Sequence, residues 1–160
     1  MRRGEGEQCL RVLACRAGVE HLQHLFDARG RRKLADRYKW FEAFFANFYN
    51  TDVLAPERIG EAALRASFRV AAGASPYASY ACVDTWLTDF RADLPKIDIP
   101  TLVVHGTADR ILPFEATAAR LRDERLIADL TVIEVPDGPH NIGWTHPEEV
   151  NKALLDFLSP

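Results

Sequence analysis

The spacing of hydrophobic positions in this chain changes once, near residue 96, and the change separates two kinds of structure. From His21 to about Phe90 the apolar residues recur at helical intervals. Leu22, Leu25 and Phe26 share one face, Tyr38, Phe41, Phe45 and Phe48 share another, and Ile59, Ala63 and Ala66 repeat the pattern after Pro56. Proline is tolerated in the first turn of a helix, where its missing N–H costs nothing, so Pro56 is expected to open that helix. Gly73-Ala74-Ser75-Pro76 interrupts the pattern before a further helical stretch through Trp86. No strand pattern is visible in this zone.

After Asp93-Leu-Pro-Lys-Ile-Asp-Ile-Pro100 the period shortens. Thr101 to His105 is a continuous apolar run rich in β-branched residues, as expected of a strand buried on both faces of a parallel sheet. Pro113 is expected to open a helix carrying Phe114, Ala118 and Leu121, and Leu130 to Val135 reads as a second strand. Pro147 to Leu158 reads as an amphipathic helix, with proline at its start and Glu148 and Glu149 where the helix dipole favours acids. Strand, helix, strand, helix is the signature of an α/β fold with adjacent parallel strands. Two strands cannot make a sheet covered on both faces, so this zone is expected to be the end of a larger sheet whose earlier strands are not in this sequence. Three segments follow: an unassigned leader at 1–20, a helical segment at 21–95 and a βαβα segment at 96–160.

Composition narrows the class. The chain has 160 residues, 48% hydrophobic and 27% charged, the make-up of one globular domain. No stretch approaches the roughly 20 apolar residues that span a bilayer. Arg11 and Arg16 break the most apolar part of the leader, which spoils it as a signal-peptide core, so a cytoplasmic location without membrane association is expected. Cys9, Cys15 and Cys82 fit neither a disulfide framework nor a metal-binding spacing. His21-x-x-His24 could set two imidazoles on one helical face, but no third ligand is evident and structural zinc takes four. No metal or organic cofactor is expected. Residues 1–40 hold ten Lys/Arg against five Asp/Glu, and residues 41–160 hold ten against eighteen, so a head of +5 precedes a remainder of −8. The Arg29-Gly30-Arg31-Arg32-Lys33 cluster has no interleaved aromatics and the remainder would repel phosphate, which argues against nucleic acid as a partner.

Asp109 and His140 are the candidate chemical groups. Asp109 follows the first strand through the turn His105-Gly106-Thr107-Ala108, and His140 follows the second in Pro136-Asp-Gly-Pro-His140-Asn141. Open α/β sheets place their sites beyond the carboxyl ends of the strands. Adjacent parallel strands would bring the two loops within side-chain reach, and a carboxylate accepting the imidazole Nδ1 proton would leave Nε2 free as a base. Acid then histidine is the chain order of α/β-hydrolase triads. His105 is expected to be partly buried scaffold, and His146, just before Pro147, a cap of the last helix. No phosphate-binding glycine loop is present.

Val103-Val-His-Gly-Thr-Ala-Asp109-Arg-Ile-Leu-Pro-Phe-Glu-Ala-Thr117 and Gly138-Pro-His140-Asn-Ile-Gly-Trp-Thr-His-Pro-Glu-Glu-Val-Asn151 resemble the acid and histidine motifs of the α/β-hydrolase family, most closely its non-heme chloroperoxidase and arylesterase branch. Phe44-Phe45-Ala-Asn-Phe-Tyr-Asn50, Ala74-Ser-Pro76 and Thr88-Asp-Phe-Arg-Ala-Asp-Leu94 resemble that branch's helical lid, so the similarity runs from about Leu25 to the C-terminus. The resemblance implies the C-terminal portion of an α/β-hydrolase fold, with a lid followed by the last two strands and their helices. It also implies Asp109 as triad acid and His140 as general base. Trp144 would flank the histidine loop, and Phe44, Phe48, Trp86 and Phe90 are candidates to line a pocket for a small carboxylic ester.

Two departures stand out. Asn141 occupies a position commonly held by glycine in this branch, and is expected either to crowd the turn or to adopt a left-handed conformation. The Gly-x-Ser-x-Gly nucleophile turn, which precedes the lid in the family, does not occur. Its nearest imitation, Gly73-Ala74-Ser75-Pro76-Tyr77, lacks the second glycine, follows no strand and has proline where an oxyanion-binding N–H is needed. The chain alone is therefore expected to be inactive as an esterase or perhydrolase. The rival expectation is a non-catalytic chain, either a truncated product or a module that completes its sheet with a partner or by self-association through an exposed strand edge.

Overall fold

The computed structural model describes residues 37–86 and 88–159. The leader at 1–20, the face of Leu22, Leu25 and Phe26, and His21 and His24 lie outside them. Among the described residues four helices come first: α1 (Arg37–Phe48), α2 (Thr51–Leu54), α3 (Glu61–Gly73) and α4 (Pro76–Trp86). A 3-10 turn (Arg91–Lys96) leads to β1 (Thr101–Gly106), a 3-10 turn (Phe114–Ala116), α5 (Ala118–Asp123), β2 (Leu130–Val135), α6 (Ile142–Thr145) and α7 (Pro147–Leu158).

Helix α1 packs on α3 through the expected aromatic face. Phe41 meets Phe68 edge-on at 6.1 Å between ring centres, and Tyr38 lies 6.1 Å from the same ring. The Arg37 guanidinium sits 5.2 Å from the Phe41 ring centre and donates to the carbonyls of Ala71 and Ala74, both at 2.8 Å. Both carbonyls lie at the C-terminal end of α3, where a cation is favoured. Pro56 does not open a helix. It follows a cis peptide bond in the turn after α2, and α3 starts at Glu61 with Gly60 as its N-cap.

Strands β1 and β2 are adjacent and parallel, with Thr101 opposite Leu130 and Gly106 opposite Val135. Phe114, Ala118 and Ala119 form a small buried core against Val103 and Val132, which stand opposite one another in the register. The helix expected from Pro113 is split, because Thr117 leaves helical geometry at φ −128°, ψ −93° and separates the 3-10 turn from α5. Helix α7 packs against both strands. The expectation of a strand buried on both faces is not met: Thr101 to His105 are half-buried throughout. The described residues supply a sheet of two strands, so each has a paired neighbour on one edge alone. The fold is α/β and corresponds to part of a larger sheet architecture.

Candidate active site

The two strands end at the same edge, and their loops are joined by backbone bonds. The Thr107 N–H donates to the Val135 carbonyl and the Ala108 N–H to the Gly138 carbonyl, both at 3.0 Å. The turn after β2 places Pro136 and then Asp137, at φ 57°, in its two central positions, closed by the Gly138 N–H on the Val135 carbonyl at 3.1 Å. That is a type II arrangement, with proline first and a residue of left-handed backbone second.

Asp109 and His140 meet there. His140 Nδ1 donates to Asp109 Oδ2 over 2.8 Å across 31 residues of sequence. Asp109 Oδ1 accepts the backbone N–H groups of Ile111 and Leu112, each at 2.8 Å. The residue is 7% exposed, and burial alone pushes its carboxyl pKa up. The bonds from His140, Leu112 and Ile111 outweigh that and hold it below the ordinary carboxylate value. An ionised carboxylate accepts and cannot donate, so the shared proton belongs to Nδ1 and the neutral imidazole keeps its lone pair on Nε2. Among the described residues no group bonds Nε2, and the ring is partly exposed. The arrangement can accept a proton at Nε2 and stabilise the resulting imidazolium.

A second imidazole lies close by. His105 Nε2 is 3.7 Å from Asp109 Oδ2 and 3.1 Å from Thr117 Oγ1, while its Nδ1 is 3.0 Å from the Gly106 carbonyl. It is scaffold at the end of β1, as expected. His146 occupies the N-cap position of α7 but makes no side-chain cap bond, contrary to expectation; its Nδ1 pairs with Thr145 Oγ1 at 2.8 Å. Asn141 does not take the left-handed conformation, having φ −99° and ψ 75°.

The candidate pocket residues separate. The Phe48 ring meets the His140 ring edge-on, 4.8 Å between centres. Phe44 touches Phe48 at 5.2 Å and so lies one ring further out. Phe90 is 59% exposed and Trp144, in α6 just after the histidine, is 55% exposed. The Trp86 side chain lies outside the described residues. A cavity of about 420 Å³ beside the acid is lined by Thr107, Asp109, Arg110, Phe114, Glu115 and Glu134, together with Ala108 and Pro113, and by none of the five candidate rings. Ser75 lies between α3 and α4, where its hydroxyl accepts the Ala78 N–H at 3.3 Å, in the manner of a helix-starting residue. Among the described residues no group of three or more His, Cys, Asp or Glu side chains converges as metal ligands would.

Sequence reasoning missed Asn50, Tyr49 and Asp52. Asn50 Nδ2 donates to the Ala108 carbonyl at 2.9 Å, Asn141 Nδ2 donates to Tyr49 Oη at 3.2 Å, and Arg110 grips Asp52 with both terminal nitrogens at 2.8 and 3.1 Å. The available signal was the Asn-Thr-Asp following an aromatic helix, since asparagine ends helices in the left-handed conformation.

Comparison with known proteins shows the family. The model of the alpha/beta hydrolase family matches residues 10–153, beginning well before the expected Leu25. A candidate non-heme chloroperoxidase of Synechocystis sp. is 53% identical over 136 residues, covering 85% of this chain and 49% of that protein. A bifunctional esterase/perhydrolase of Acinetobacter calcoaceticus is 37% identical over 71 residues, 44% of this chain and 25% of that one. The crystal structure of a bromoperoxidase from Bacillus anthracis superposes with a TM-score of 0.70 at 34% identity, covering 78% of this chain and 45% of its own. The chain thus spans about half or less of the length of these relatives. With its two parallel strands, lid helices and paired acid and histidine loops, it belongs to the α/β-hydrolase family.

Proposed function

We propose that this chain carries the acid and the base of a serine hydrolase triad of the non-heme chloroperoxidase type, acting on small carboxylic esters. The bond between Asp109 Oδ2 and His140 Nδ1, at the ends of adjacent parallel strands, carries the reading. In the full reaction a serine outside these 160 residues loses its proton to His140 Nε2 and attacks the ester carbonyl. The imidazolium then protonates the leaving alcohol, and water, or hydrogen peroxide in perhydrolysis, releases the acyl group. The chain by itself is inactive, because Ser67, Ser75, Ser79 and Ser159 are its only serines and none stands in a Gly-x-Ser-x-Gly turn. We place it in the cytoplasm, where Cys82, an exposed thiol, stays reduced.

The test combines the chain with the N-terminal half of the Synechocystis relative, as a fusion or as two co-expressed chains, and assays an activated aryl ester. Restored turnover that His140→Gln abolishes is the expected result. Stoichiometric labelling of the isolated chain by a fluorophosphonate, or restored turnover indifferent to His140→Gln, overturns the reading.

The half-burial of β1 from Thr101 to His105 favours a second reading, a non-catalytic module that completes its sheet with another chain. Light scattering at several concentrations separates them, since a concentration-independent monomer counts against partner dependence.

A further inference from the structure

The end of α1 touches both catalytic loops within three residues. The Phe48 carbonyl accepts the Asn141 N–H at 3.3 Å, one residue beyond the base. Asn50 Nδ2 donates to the Ala108 carbonyl at 2.9 Å, one residue before the acid. The reversal that lets residues 48 and 50 face two different loops is made by Asn50 itself, whose backbone lies in the left-handed region at φ 48°, ψ 50°. Asparagine and glycine reach that region more readily than other residues. On either side, the Phe48 ring lies edge-on to His140 and Asp52 holds Arg110, the residue after the acid.

Asn50 is 3% exposed, and its Oδ1 is buried without a hydrogen-bond partner among the described residues. An amide retained for stability alone is poorly matched to such a place, since buried carbonyl oxygens are nearly always paired. The donor half of the side chain is what the fold uses, and it uses it next to Asp109.

We infer that the Phe48–Asn50 turn sets the spacing of the acid and the base, with Asn50 as the positioning residue that holds the Ala108–Asp109 peptide against the lid. Asn50 touches no reacting atom and acts through the backbone. The inference rests on the reading of Asp109 and His140 as a functional pair.

The test is proton NMR of the full chain at the downfield Nδ1–H resonance of His140, assigned by its disappearance in Asp109→Asn. Asn50→Gly and Asn50→Asp both tolerate the left-handed backbone, and both lack the donor to Ala108. In both, the resonance is expected to broaden beyond detection under conditions where the native chain shows it sharp, while the dispersion of the backbone amide spectrum is retained. A sharp, unshifted resonance in either folded variant overturns the inference. Unfolding of both variants also overturns it, because Asn50 would then serve folding rather than positioning. If one variant unfolds, the other decides. Absence of the resonance from the native chain removes the acid–base pair itself, and is thereby distinguished from a failure of Asn50 alone.

Discussion

A Cβ placed on Gly106 would lie 2.1 Å from the carbonyl oxygen of Gly138. The last residue of β1 and the residue two before His140 are therefore in backbone contact, and only hydrogen fits between them. Gly106→Ala must push the Asp109 loop from the His140 loop, because a backbone carbonyl cannot swing aside as a flexible side-chain end can. Overpacking of this kind costs about 1–3 kcal/mol and sometimes more. We expect the upper end, read as a lowered urea midpoint, with amide shifts concentrated in residues 106–110 and 136–141. An unchanged midpoint would mean that the loops separate freely.

Asp109→Asn tests the charge of the acid. The group's folded pKa lies below its ordinary value, so the native state favours the ionised form. Its contribution is complete above the unfolded carboxylate pKa of about 4 and is lost as pH falls through the lower folded value. The variant should be less stable than the native chain at pH 7 by about 2 kcal/mol, the scale of a hydrogen bond to a charged group. The gap should shrink below pH 4, where the native carboxylate also takes up its proton. Urea midpoints at pH 7, 4 and 2.5 measure it, and a gap that does not narrow in acid would place the effect elsewhere than in the charge.

Much of this geometry could be read from residue types. Strand β2 and α7 follow the expected bounds, since an apolar run between turn residues and a proline-led amphipathic stretch each have one natural reading. Asp109 and His140 were legible because loop, strand order and spacing agreed. Pro56 was not, because the rule that proline opens helices is equally served by a turn, and the tertiary path chose the turn. Asn50 was hidden for another reason: its bonds go to Ala108 and, through its neighbours, to Asn141, and no local pattern encodes partners 58 residues away.

Tyr49→Phe probes the link between the lid and the histidine loop. Tyr49 is 1% exposed, its hydroxyl lies 2.7 Å from Ser67 Oγ on α3, and it also accepts from Asn141. Deleting the hydroxyl leaves the Ser67 and Asn141 groups without this partner, for a loss of about 1–2 kcal/mol. A double-mutant cycle with Ser67→Ala should show coupling of about 0.5 kcal/mol or more, as for residues in one hydrogen-bond network. Strict additivity would mean that the two hydroxyls do not act together.

His146 gives the chain a second, separate dependence on pH. Burial comes first in lowering its pKa, and the nearby Arg58 charge adds to it, while Glu149 and Asp137 oppose without prevailing. The residue is 3% exposed, and Thr145 Oγ1 donates to the Asn141 carbonyl at 3.2 Å, which leaves it to accept from His146 Nδ1. The folded state thus keeps this imidazole neutral where the unfolded chain would protonate it. Stability from this group is complete above the unfolded histidine pKa of about 6.5 and is lost as pH falls through the lower folded value. Asparagine can supply the same donor to Thr145 and is itself a favoured N-cap, so His146→Asn should preserve stability at pH 7.5 to within about 1 kcal/mol. Between pH 6.5 and 5, where Asp109 is still ionised, the native urea midpoint should fall more steeply than that of the variant. Parallel slopes over this interval would show that His146 is protonated equally in the folded and unfolded chains.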